Sequence, residues 1–188
     1  MKQLLPFCLL FCSLNTWAQP VLPLTKLNVS ASVVMPLFNN KPFSAYSQNT
    51  GAQVQVGANL YKGEVVLSAA TFNNKNPLLT EYQSLLFSVG YAFNIPLAKN
   101  VWLKPHAAFG AHYMMFEQNS SNTNNLRESE LMYQLGLALQ TKLYKKLHLQ
   151  VGSFYSSTQT YHKQHQLFFQ SGLMYYFNTP KNIQYLIN

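Results

Sequence analysis

The chain has 188 residues, of which 10% are charged and 14% aromatic, and its mean hydropathy is −0.06. A soluble domain carries about 25% charge, so 13 Lys+Arg and 5 Glu are too few to clothe a water-facing surface. No apolar run approaches the ~18 residues of a transmembrane helix, and together these facts disfavour a cytosolic enzyme, a helical membrane protein and an acidic disordered tail.

The N-terminus opens with Lys2, an apolar run over 4–14 and the small-residue frame Thr16-Trp17-Ala18. This pattern predicts a secretory signal peptide over 1–18, cut before Gln19. Cys8 follows Phe7 and Cys12 follows Phe11, so neither sits in a lipoprotein frame. Both cysteines leave with the leader, which removes disulfides, thiolate nucleophiles and cysteine metal sites from the expected chemistry. Loss of Lys2 leaves 12 Lys+Arg against 5 Glu, a formal +7.

Eight stretches then alternate apolar and polar residues with the period of a strand. The first, 26–36, puts Leu27, Val29, Ala31, Val33 and Met35 opposite Asn28, Ser30 and Ser32. The second, 52–61, opposes Val54, Val56 and Leu60 to Gln53, Gln55 and Asn59. The third is 64–72, with Val65, Leu67 and Ala69 on the apolar side. In the fourth, 81–93, Leu85, Phe87 and Val89 face away from Ser84 and Ser88. The fifth, 101–116, sets Leu103, Ala107 and Phe109 against Lys104, His106 and His112; its Pro105 predicts a bulge or a late strand start. The sixth, 129–143, is the cleanest, with Leu131, Leu135, Leu137 and Leu139 opposite Glu130, Gln134 and Gln140. The seventh, 147–156, and the eighth, 164–177, repeat the pattern, with His148 and Gln170 on their polar sides.

The connections alternate in length. Lys62-Gly63, 94–100 and 144–146 are short, whereas 37–51, 73–80, 117–128 and 157–163 are longer and rich in Asn and Ser. The two kinds therefore fall at opposite ends of one sheet. Tight turns allow a register, Tyr61 opposite Glu64 and Lys142 opposite His148, that keeps like faces together.

Alternation does not say which face is inside. A soluble lipocalin-like barrel buries the apolar face; a membrane barrel turns it to lipid. The polar face here is built of amides, Ser and Gly rather than the Lys and Glu of a wet sheet. Each stretch is long enough to cross a bilayer, which takes ~9–11 tilted residues. Aromatics gather near both ends: Phe38, Phe72, Tyr82, Tyr113, Tyr133, Tyr155 and Phe169 toward the long connections, and Tyr61, Phe93, Trp102, Tyr144 and Phe177 toward the short ones. Two such belts mark membrane interfaces. The expected fold is an all-β, eight-stranded, antiparallel, up-and-down transmembrane barrel over 19–177.

On these residues the chain resembles the small eight-stranded outer-membrane β-barrel proteins of Gram-negative bacteria. Its most specific stretch is 170–177, where Gln170, Gly172, Tyr175 and Phe177 match the last-strand signal read by the outer-membrane assembly machinery in that family. The resemblance implies an outer-membrane location, contact with outer-membrane lipid and lipopolysaccharide, and a monomer. It also implies that the short turns and both termini are periplasmic, with 178–188 a periplasmic tail, and that the long loops are extracellular. Family members usually end at the final aromatic, so this tail is a departure.

An eight-stranded barrel is just wide enough to be filled by its own side chains. Gln53, Gln55, Glu64, Lys104, His106, His112, Glu130, Gln134, Gln140 and His148 are expected to form a polar network that plugs the lumen, with Glu64 paired to Lys104 or Lys142. Barrel enzymes that modify lipid A need a nucleophile, a His and an acid. The chain has no Asp, and although His112, Glu130 and Ser120 or Ser129 fall near one another, no nucleophile is marked. His162 and His165 lie at a loop boundary without a third ligand, so neither a metal nor another cofactor is expected. No basic stripe with stacking aromatics points to nucleic acid. The expected role is structural or surface interaction, not catalysis. A lipid A-modifying barrel enzyme and a soluble periplasmic lipocalin-like binder are the alternatives.

Overall fold

The computed structural model describes residues 26–39, 47–75, 81–116, 127–160 and 163–179. The expected leader, most of the tail and the centre of the 117–128 loop, Ser120 included, lie outside the described residues. The strands are β1 (Lys26–Asn39), β2 (Ser47–Gln48), β3 (Gly51–Leu60), β4 (Gly63–Lys75), β5 (Tyr82–Phe93), β6 (Ile95–Ala98), β7 (Val101–Phe116), β8 (Arg127–Tyr144), β9 (Leu147–Thr158) and β10 (Gln164–Asn178). Eight are long; β2 pairs only with the end of β4, and β6 continues β5 after Asn94.

Neighbouring long strands pair antiparallel in sequence order, and β1 pairs with β10 to close the sheet on itself. That closure leaves the long strands without a free edge, which a wall in hydrocarbon requires because lipid offers no partner to an open N–H or C=O. The closing seam is nearly continuous, from Lys26↔Asn178 to Asn39↔Gln166, with one shift between Pro36 and Phe38.

Parity survives around the barrel. Val33, Val54, Leu67, Leu131, Leu135, Leu139 and Leu173 stand outward and exposed. Asn28, Ser30, Gln53, Ser84, Gln134, Gln150 and Gln166 stand inward and buried. Phe109 is 64% exposed and Leu131 63%, at neighbouring positions of the wall. A monomer in water rarely exposes more than a few hundred Å² of continuous apolar surface, and here exposed apolar side chains stand on every long strand but β9.

Several local expectations are corrected. The first tight turn is Tyr61-Lys62, not Lys62-Gly63. Gly63 pairs with Leu60 inside the ladder, and Tyr61 rather than a glycine takes the positive φ, 56°. Gly63 is needed for closeness instead: a Cβ there would run into the Ala92 carbonyl and the Tyr91 ring. The observed pair Asn59↔Glu64 replaces the expected Tyr61–Glu64. That slip is by an even number of residues, so the faces are unchanged. Lys142 does lie opposite His148, but a bulge lets Leu147 pair with Tyr144.

The 94–100 connection is mostly strand, and its turn is Lys99-Asn100, with Asn100 at φ 68°. Pro105 causes no bulge on the β8 side, where it pairs with Leu137 in unbroken register. On the other side the ladder stops at Ala92↔His106 and resumes, in the same register, at Ile95↔Leu103. Pro105 thus falls beside that interruption. Phe72, Tyr82 and Trp102, expected in the aromatic belts, point into the lumen; Phe38, Tyr113, Tyr133, Tyr61, Phe93 and Tyr144 remain exposed on the outer wall.

Candidate functional site in the barrel lumen

The lumen is layered from the short-turn end to the long-loop end. Nearest the short turns, Glu64 of β4 is 1% exposed and pairs with Lys104 of β7 at 2.6 Å. Lys104 and Asn28 donate to its Oε2, and Tyr176 and Asn94 donate to its Oε1, at 2.6 and 3.3 Å. Both carboxylate oxygens are thus doubly satisfied, which a charge withdrawn from water requires. The network continues outward: Gln140 Nε2 donates to the Tyr176 hydroxyl at 3.1 Å and lies 2.7 Å from His148 Nδ1. The His148 ring packs edge-on against Tyr176 and tilted against Trp102. Six strands, β1, β4, β7, β8, β9 and β10, are tied together by this one cluster.

In the next layer Ser30 donates to Gln55, and Ser88 donates to Gln134 and lies 2.7 Å from Ser68. His106 lies over Gly136, where a Cβ would strike its ring, so the glycine makes room for the imidazole. A cavity of about 30 Å³ sits among Gln53, Gln55, His106, Gln134 and Gln150, large enough for a water molecule. Gln53 Oε1 and Gln150 Oε1 have no protein partner.

Beyond this the lumen turns apolar, which alternation in the sequence did not suggest. Val34, Ala70, Phe72, Leu86, Met132, Phe154 and Phe168 form a buried cluster. Phe168 stacks between Phe72 and Phe154, with ring centroids 4.9 Å apart on each side. The final layer is polar again. His112, fully buried, lies 2.9 Å from Ser84 Oγ and 3.2 Å from Thr158 Oγ1, and Asn74 donates to Ser84 at 2.8 Å.

The expected network residues therefore do not form one connected set. Glu64, Lys104, Gln140 and His148 join at the short-turn end, Gln53, Gln55, His106 and Gln134 occupy the middle, and His112 lies beyond the aromatic stack. Glu130 sits opposite His112 in register but is only half-buried and makes no hydrogen bond or ion pair among the described residues. Ser129 is exposed, opposite Tyr113. Asn28 and Ser84, on polar faces by their alternation, join these clusters without belonging to the expected network, as do Tyr176, Thr158 and Asn94; inward parity points to all but Asn94, which lies between strands. His165 stacks on Tyr155, while His162 lies outside the described residues.

The 170–177 stretch forms most of the closing strand. Tyr175 stands outward beside Val29, Phe177 pairs with Leu27, and Gly172 faces Ser32, where a Cβ would meet the Ala31 carbonyl. Gln170 points inward, buried, with neither amide atom partnered.

No protein-family model matches the sequence, and no curated protein matches it. Solved structures do. Neisserial surface protein A superposes with a TM-score of 0.68 at 8% identity, over 81% of this chain and 97% of that one. A major outer membrane protein from Thermus thermophilus gives 0.56 at 14%, over 81% and 99%. The N-terminal β-barrel domain of Pseudomonas aeruginosa OprF gives 0.51 at 12%, over 83% and 100%. The chain thus has the fold of the small eight-stranded outer-membrane β-barrels. A closed barrel of this fold with an apolar outer wall is an integral protein of the outer membrane.

Proposed function

We propose that the protein is a non-conducting, monomeric outer-membrane barrel of structural or surface-interaction type, with its lumen plugged along its length. The observation that carries this reading is the Phe72–Phe168–Phe154 stack across the lumen, backed on the short-turn side by the Glu64 cluster. A solute would have to part both. The lipid-facing wall and the closing strand make outer-membrane lipid, lipopolysaccharide and the assembly machinery the expected partners. The short turns and barrel termini face the periplasm in this reading, and the long connections carry any surface contact. Neisserial surface protein A, a structural neighbour, is by its name a surface protein.

The catalytic alternative has one geometric point in its favour, the 2.9 Å approach of Ser84 and His112. Both side chains are buried, and the second imidazole nitrogen meets Thr158 rather than a carboxylate, so the pair has neither substrate access nor the orienting acid of a nucleophilic triad. The soluble-binder alternative would leave the apolar wall in water. Reconstitution into planar lipid bilayers tests the proposal directly. No stepwise conductance is expected, and discrete open channels at moderate voltage would overturn the plugged lumen. Lipid A from a strain overproducing the protein should be unchanged by mass spectrometry.

A further inference from the structure

The short-turn mouth opens into a cavity of about 430 Å³, within the range of small-molecule sites. Its charge is one-sided. Lys26, Lys142, Lys145 and Lys146 line it, and the one carboxylate in its wall, Glu64, is already neutralised by Lys104. None of the four lysines forms an ion pair among the described residues; Lys145 Nζ lies 5.1 Å from the centroid of the Tyr144 ring. Four ammonium groups around one concave space concentrate positive potential inside low-dielectric walls, which draws anions.

The floor and sides carry a second chemistry. Asn59, Asn94, Asn100, Gln140 and Asn178 offer amides, and Trp102 and Tyr176 offer rings. The rim is also held in shape: Lys142 N donates to the Asn100 carbonyl and Tyr176 N to the Lys146 carbonyl, each at 2.9 Å. A pre-formed cavity loses less entropy on binding.

We propose that this cavity is a binding site for a small organic phosphate with a hydroxyl-bearing body, such as a sugar phosphate. The phosphate meets the lysines, and the hydroxyl-bearing body rests on the aromatic and amide floor. The site lies on the short-turn side of the Glu64 cluster, so it takes a ligand without passing one. A lipid phosphate shares the anionic chemistry but would have to leave the barrel's outer surface to enter the lumen.

Trp102 reports on the site, because Trp17 lies in the expected leader and Trp102 is then the sole tryptophan of the chain from Gln19 onward. That chain, refolded in a neutral detergent, should show a saturable change in tryptophan fluorescence with glucose 6-phosphate and none with glucose. Loss of two charge-assisted contacts in the double variant Lys142→Gln, Lys146→Gln should weaken binding by roughly tenfold or more. The variant Lys62→Gln, Lys99→Gln, altered at short-turn lysines outside the cavity lining, should bind as the parent does. A heat-shift gel confirms that each variant is folded. The proposal is overturned by no saturable response, by equal weakening in both variants, or by inorganic phosphate binding as tightly as the sugar phosphate. A response only to phosphatidylglycerol mixed into the micelles assigns the site to lipid and overturns it as well.

Discussion

Replacing Glu64 by Gln would leave Lys104 buried without its carboxylate, because the lysine is 3% exposed and its one ion pair among the described residues is with Glu64. Replacing Lys104 by Met leaves the mirror problem, a buried carboxylate that retains Asn28, Asn94 and Tyr176 as donors. Breaking one side of a buried pair typically costs ~3–5 kcal/mol, whereas removing both can be nearly neutral. Each single variant is therefore expected to unfold from lipid vesicles at clearly lower urea, with Glu64→Gln the worse. The double variant Glu64→Gln, Lys104→Met should recover most of the loss. Additive losses in that double-mutant cycle would show that the two charges do not act as a pair. The outward neighbours of these residues answer to different physics. Val65 and Leu103 meet lipid, where a charge rather than a cavity is the expensive change.

β10 joins sequence-readable pattern to tertiary consequence, since it seals the barrel against β1 and carries Tyr175 and Phe177 toward lipid beside Val29 and Leu27. Truncating both aromatics to Ala removes no lumen packing. If they are read by the assembly machinery, the variant should accumulate less barrel in the outer membrane while refolding normally in vesicles; wild-type amounts of assembled protein would refute the assignment. Inward and outward parity along β10 was legible because a strand repeats every two residues whatever it packs against. The same holds for β1, β3 and β8, whose faces came out as expected. What parity cannot convey is depth. Phe72, Tyr82 and Trp102 occupy inward positions near strand ends, where an aromatic reads equally well as a belt residue, and only their packing against Phe168 of β10, Phe116 of β7 and His148 of β9 makes them lumen residues. Turn chemistry misled for a similar reason. Gly63 suggested positive φ, yet it is small because the Ala92 carbonyl crowds it. The choice between Lys104 and Lys142 as the partner of Glu64 rested on which strand crosses the lumen at that height, and alternation does not encode that.

If the lumen is plugged as proposed, the barrel's stability and its seal share one structural cause, the alternation of polar and apolar layers through a narrow lumen. Phe168 is the centre of the apolar layer: it is fully buried and stacks on Phe72 and Phe154 from β4 and β9. Truncation to Ala there should cost ~3–5 kcal/mol, the usual cost of a lost core phenylalanine, because rigid closed strands cannot collapse into the space. In that reading the seal should outlast the loss. On one side the Glu64 cluster still spans the lumen, and on the other His112, Ser84, Thr158 and Asn74 remain linked. The expected outcome for Phe168→Ala is a lower urea midpoint in vesicles with bilayer conductance still undetectable. A variant that conducts while remaining folded by its gel mobility would mean that the aromatic layer alone closes the barrel and that the polar layers pass ions.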